Sequence, residues 1–159
     1  MPRKAKLSLL LVFLALALLT VSACTAEQQA QNEVTNAVNA TADAARLKVN
    51  QFTGFAQALV DQLAQEAKDP AAATMKANQI SNGLDDINAK LQSVIDAAED
   101  GKHESLQEAK AAVDNTIQTV REIADEATNP ETKAKLNEIA DGLEEIQKGL
   151  TDLINKQAK

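Results

Sequence analysis

The chain has 159 residues, 16 of them basic and 23 acidic, and is 45% hydrophobic but only 2% aromatic, with one cysteine and one histidine. A lone cysteine makes no internal disulfide, and with a single histidine it cannot complete a conventional zinc or iron–sulfur site. A net charge of -7 argues against a nucleic-acid partner, whose phosphates demand clustered Lys and Arg.

Five glycines and three prolines leave little provision for β-turns. Alanine, leucine, glutamate, glutamine and lysine dominate, so the chain reads as all-α.

At the amino end, Arg3, Lys4 and Lys6 precede an uncharged run from Leu7 to Val21 rich in Leu, Val, Ala and Phe. A spanning helix needs about 20 apolar residues, and this run stops short before the polar Thr25 to Asn36 stretch. It reads as the apolar region of a secretory signal. The run ends in Val21-Ser22-Ala23-Cys24, which resembles the lipobox of bacterial lipoproteins: an aliphatic residue, two small ones, then cysteine. The resemblance covers these four positions and their flanks.

It implies diacylglyceryl transfer to the Cys24 sulfur, cleavage of residues 1-23 and an extracytoplasmic domain held on a membrane through lipid on Cys24. Two or three acyl chains, at about 0.8 kcal/mol per buried methylene, hold what one chain would release. Thr25, standing where Asp would favour inner-membrane retention, carries no such signal. The alternatives are an ordinary secretory signal with an incidental cysteine, or an uncleaved anchor. Cleavage would remove three basic residues and no acidic one, leaving 13 against 23 and a net charge near -10. Anionic lipid repels such a domain, so the acyl group would do the anchoring.

Residues 24-40 form a polar tether with only Val34 and Val38 as bulky apolar residues. The remainder, 41-159, reads as a four-helix bundle with an internal repeat. Val60 to Pro70 aligns with Val120 to Pro130 at five identities in eleven, and Asn78 to Ile95 with Asn137 to Ile154 at seven in eighteen. The repeat units cover about 41-98 and 105-157, and each reads as helix, tight turn, helix.

Four helices are predicted: 41 to 68, 71 to 98, 105 to 128 and 131 to 156. Asp69-Pro70 and Asn129-Pro130 supply an N-cap followed by proline at the first helical position. Asp100-Gly101 and the box Ser105 to Glu108 end one unit and start the next. In the second helix Ile80, Leu84, Ile87, Leu91, Val94 and Ala98 form a heptad seam, as do Leu136, Ile139, Leu143, Ile146, Leu150 and Leu153 in the fourth. The third offers Leu106, Val113, Ile117, Val120, Ile123 and Ala127, and the first Leu47, Phe52, Phe55, Leu59 and Leu63. Helices of matched length favour an antiparallel up-down-up-down bundle of two repeated hairpins. A long single hairpin or an oligomeric coiled coil is the competing architecture.

Gly83, Gly142 and Gly149 lie on one flank of the seams, where close approach of a neighbouring helix would use them; they also mark an interaction face. His103, in the connection after Asp100, has no second nitrogen or thiolate near it in sequence. There is no Cys-x-x-Cys-His for haem and no Glu-x-x-His for a di-iron centre, so no cofactor or metal is expected. Asp85-Asp86 and Glu144-Glu145 recur at equivalent mid-helix positions and read as solvated faces, since calcium needs six to eight oxygens from a shaped loop. Lys159 resembles the terminal lysine by which Braun-type murein lipoprotein is joined to peptidoglycan, although a terminal lysine also complements a helix dipole. No nucleophile stands beside a base, and catalysis is not expected. The function expected is a non-catalytic spacer, adaptor or protein-binding module of the bacterial cell envelope, with an envelope protein as partner. The alternative is a carrier or sensor of an apolar small molecule bound between the helices.

Overall fold

The computed structural model describes the backbone of residues 3-66, 69-98 and 104-157, and side chains from 28 onward within those ranges except 61 and 66. Over the described residues the protein is all-helical, with α1 spanning Arg3–Glu66, α2 Pro70–Ala98, α3 Glu104–Glu126 and α4 Pro130–Gln157. It divides into two compact units, Met1–Asn36 and Ala37–Lys159. In the first, residues 28-36 are exposed apart from a half-exposed Thr35. The second contains the hydrophobic core. Among the described residues no helix is long and apolar enough to cross a membrane.

Local chemistry accounts for the helix starts. The Asp69 carboxylate accepts hydrogen bonds from the Ala71 and Ala72 amides at 3.0 and 3.2 Å. The Asn129 side chain accepts from Glu131 and Thr132 at 2.8 and 3.4 Å. Each cap satisfies amides that have no partner inside the helix, and the following proline has no N–H to lose. At α3 the start falls within one residue of the expected one. The helix begins at Glu104, so Ser105 lies inside the first turn, and Glu108 accepts from Lys90 of α2 at 2.8 Å. The stretch over 24-40 is helical as well. No proline or glycine interrupts residues 3 to 53, and alanine and glutamine are good helix formers.

The four helices pack against each other through apolar seams. In α2 the buried residues are Ala73, Ala77, Ile80, Leu84, Ile87, Leu91 and Val94; in α4 they include Leu136, Ile139, Leu143, Ile146, Leu150 and Leu153. The third helix buries Leu106, Val113, Ile117, Val120 and Ile123 with Ala109, Ala112, Thr116 and Ala124. Ala98 and Ala127 are only partly buried.

The first helix departs from expectation. Its seam is Val38, Ala42, Ala45, Val49, Phe52, Ala56, Leu59 and Leu63, an unbroken alternation of steps of four and three. Leu47 and Phe55, expected in the core, are 68% and 46% exposed. Bulk misleads here, because the helical period selects Val49 in place of Leu47 and Ala56 in place of Phe55. Phe55 instead leans on Phe52, with ring centroids 6.5 Å apart.

Leu91 is wholly buried, so Leu91→Ala should cost about 2–5 kcal/mol. Leu47→Ala, at the surface, should stay within about 0.5 kcal/mol of the parent. Urea unfolding of the two variants distinguishes them, and comparable losses would contradict the assignment of the α1 seam.

Candidate functional site

The side chain of Cys24, and His103 and Lys159 entirely, lie outside the described residues. The three glycines are described. A Cβ on Gly83 would stand 2.7 Å from the Thr116 hydroxyl of α3, and one on Gly142 would overlap the Phe52 ring of α1. A Cβ on Gly149 would touch the Thr41 methyl at 3.4 Å. All three glycines therefore admit a side chain from another helix of the same chain. Gly54, exposed in α1, has nothing within 4 Å of where its Cβ would be.

The core holds little polar chemistry. Among the described residues its buried polar residues are Thr116 and Thr132. The Thr116 hydroxyl donates to the Ala112 carbonyl at 2.9 Å, which ties it to its own helix. Asp85 and Asp86 are exposed. The repeat's equivalent pair is engaged, with Glu144 accepting from Arg121 of α3 and Glu145 from Lys48 of α1. Among the described residues no group of three or more His, Cys, Asp or Glu side chains is disposed to hold a metal ion.

Among the described residues the structure adds an apolar groove between helices, of about 440 Å³. Ala40, Thr41, Ala44 and Ala45 of α1 form one wall, Ile146 and Gly149 of α4 the other, and the Lys48–Glu145 ion pair lies beside them. Small side chains on both helices leave the space. The Thr41 hydroxyl donates to the Ala37 carbonyl at 2.8 Å, so the ion pair carries most of the groove's polarity. Such a lining suits an apolar group. Sequence reading assigned Ala40 to the tether and overlooked this wall. The available signal was the spacing of Ala40 and Ala44 by one helical turn, opposite Gly149.

No family model, curated protein or solved structure matches the chain.

Electrostatics at the helix borders gives this arrangement a pH dependence. The hydrogen bond from Lys48, then its charge, hold the Glu145 carboxyl below its ordinary 4.5 against a smaller upward push from burial. Burial pushes the Asp114 carboxyl up, but hydrogen bonds from Lys110 and Gln147 and the Lys110 charge together leave it below its ordinary 3.8. A carboxyl whose folded value is depressed stabilises the fold above its unfolded value and stops doing so as pH falls through the folded one. The thermal midpoint should therefore drop as pH is lowered from about 5 to about 3, with Lys48→Met removing part of the drop. Melting curves across that range check it; an unchanged slope in Lys48→Met would show that Glu145 takes no part.

Proposed function

We propose that the protein is a lipid-anchored bacterial lipoprotein of the cell envelope whose helical domain is a non-catalytic spacer, adaptor or protein-binding module. One observation carries the anchoring. The single cysteine of the chain ends the apolar run, at the place where Val21-Ser22-Ala23 gives it the form of a lipobox.

For the domain we propose a closed antiparallel four-helix bundle of two repeated hairpins. Its support is that interhelical pairs descend in number on one helix as they ascend on the other. Lys76 and Lys90 of α2 meet Glu126 and Glu108 of α3. Lys133 and Gln147 of α4 meet Asp125 and Asp114 of α3. Lys135 and Glu145 of α4 meet Gln62 and Lys48 of α1. Asn88 of α2 donates to Asn50 of α1 at 2.8 Å, which joins the first helix to the second. A bundle of this kind fixes distance and presents long faces, the properties a spacer or adaptor uses.

The second reading is a carrier of an apolar small molecule. The groove between α1 and α4 supports it, since its volume is in the range of small-ligand sites.

Intact-mass spectrometry of the protein expressed in a bacterial host tests the anchor. The expected product starts at Cys24 and bears diacylglyceryl, while Cys24→Ser keeps residues 1-23 and gains no lipid. An unmodified Cys24 in the parent chain would overturn the anchoring. In the same preparation, a crosslinked envelope protein supports the adaptor, and a retained small apolar mass supports the carrier.

A further inference from the structure

We propose that the outer face of α1 is a pairing surface for a second copy of this chain, with the two α1 helices side by side and parallel. The face consists of Ala40, Ala44, Leu47, Gln51, Gly54 and Ala58, all exposed. They step by four and three along α1, two residues out of phase with the buried seam. The result is a second, uncharged heptad seam on the side of the helix opposite the core. Leu47 and Phe55 are among the exposed large hydrophobic residues of the protein, and both lie on or beside it.

Gly54 is the telling residue. Glycine inside a helix costs about 1 kcal/mol relative to alanine. Gly83, Gly142 and Gly149 each face a side chain of another helix, whereas Gly54 faces open space. Close approach of a second backbone gives that glycine a use that nothing among the described residues provides.

Charge selects the partner and the direction. Between Ala44 and Val60, α1 carries Arg46 and Lys48 and no acidic residue. The exposed faces of α2, α3 and α4 carry Asp85 and Asp86, Glu122 and Asp125, and Glu138 and Asp141. For a chain of net charge -7, this face lets two copies meet over a strip that itself carries no carboxylate.

With the seam as a and d positions, Asp43 falls at g and Lys48 at the following e. Those positions face each other between parallel helices, once from each copy. Lys48 already reaches Glu145, and its ammonium has donors to share. Antiparallel pairing would set Lys48 against Phe55 and leave Asp43 without a cation. Gln51 occupies an a position, where two amides on the two-fold axis fix register.

Each strip is about 28 Å long and about 10 Å wide, so pairing buries on the order of 600 Å², below the roughly 1,200 Å² of a stable interface. Pairing therefore depends on a high local concentration, which copies anchored at their amino ends in one membrane would have. This part rests on the anchoring proposed above, and that geometry also requires the parallel direction.

The test is a short bismaleimide applied to membranes carrying the lipidated Gln51→Cys protein, with Gln118→Cys on the exposed face of α3 as reference. A covalent homodimer is expected from Gln51→Cys and not from Gln118→Cys, with loss of the dimer on adding Gly54→Glu. Open space at Gly54 lets that variant keep its fold, which circular dichroism verifies. Equal yields at the two positions, an adduct with a different chain, or a dimer that survives Gly54→Glu would overturn the pairing. Intact mass separates the two proposals. If Cys24 carries no lipid, the reaction is run on the concentrated Cys24→Ser chain. A Gly54-sensitive homodimer there keeps the pairing while the anchor fails, and its absence overturns the pairing.

Discussion

The constraint on which the rest of this structure depends is the unbroken alternation of three- and four-residue steps along each helix of the core. Burying a Leu or Ile side chain contributes about 1.5–3 kcal/mol. The wholly buried set includes Leu59, Ile80, Leu84, Ile87, Leu91, Leu106, Leu136, Ile139, Leu143 and Leu150. Exposed ion pairs such as Lys90–Glu108 contribute far less to stability. Their work is to set which helix lies beside which and at what height. The apolar seams drive assembly, and the charged borders choose among the assemblies that the seams would allow.

The two stretches alike in sequence also start their helices and meet their neighbours alike. Asp69 and Asn129 cap α2 and α4 with the same pair of amide contacts. Gly83 of α2 receives Thr116 of α3, and Gly142 of α4 receives Phe52 of α1. The glycine is common to both units, but the side chain filling its space differs. At the first site a small hydroxyl satisfied by its own helix fits, and at the second an aromatic ring does. Each repeat thus uses a shared backbone approach and adjusts the fill locally, as close packing demands.

The surface divides by chemistry. Carboxylates are spread over α2, α3 and α4, while the outer face of α1 from Ala44 to Val60 has none. An acidic exterior keeps copies apart, and the uncharged strip on α1 carries no such repulsion of its own. That strip and the groove formed by Ala40 and Ala44 with Gly149 adjoin on α1. Both features lie on the first helix, whose seam places alanine at three of its eight positions.

Much of the architecture was legible locally. The caps at Asp69 and Asn129 follow from a hydrogen-bonding side chain followed by proline. The seams of α2 and α4 are visible because nearly every core position carries Leu, Ile or Val, so period and bulk coincide. In α1 they do not coincide. Alanines at 42, 45 and 56 hold core positions while Leu47 and Phe55 face out, and an alanine side chain is too small to mark a seam in a sequence read by bulk.

By itself, then, the sequence determined the helical class, the number of helices in the described chain, the caps at the two prolines and the repeat. The first three depend on residues within a turn or two of one another, and the repeat on likeness between two stretches of the same chain. Only the tertiary structure decided which face of α1 is buried, what fills the space beside Gly83 and Gly142, and that Gly54 stands open. Burial and free space are set by atoms contributed from other helices, which no local pattern in α1 contains.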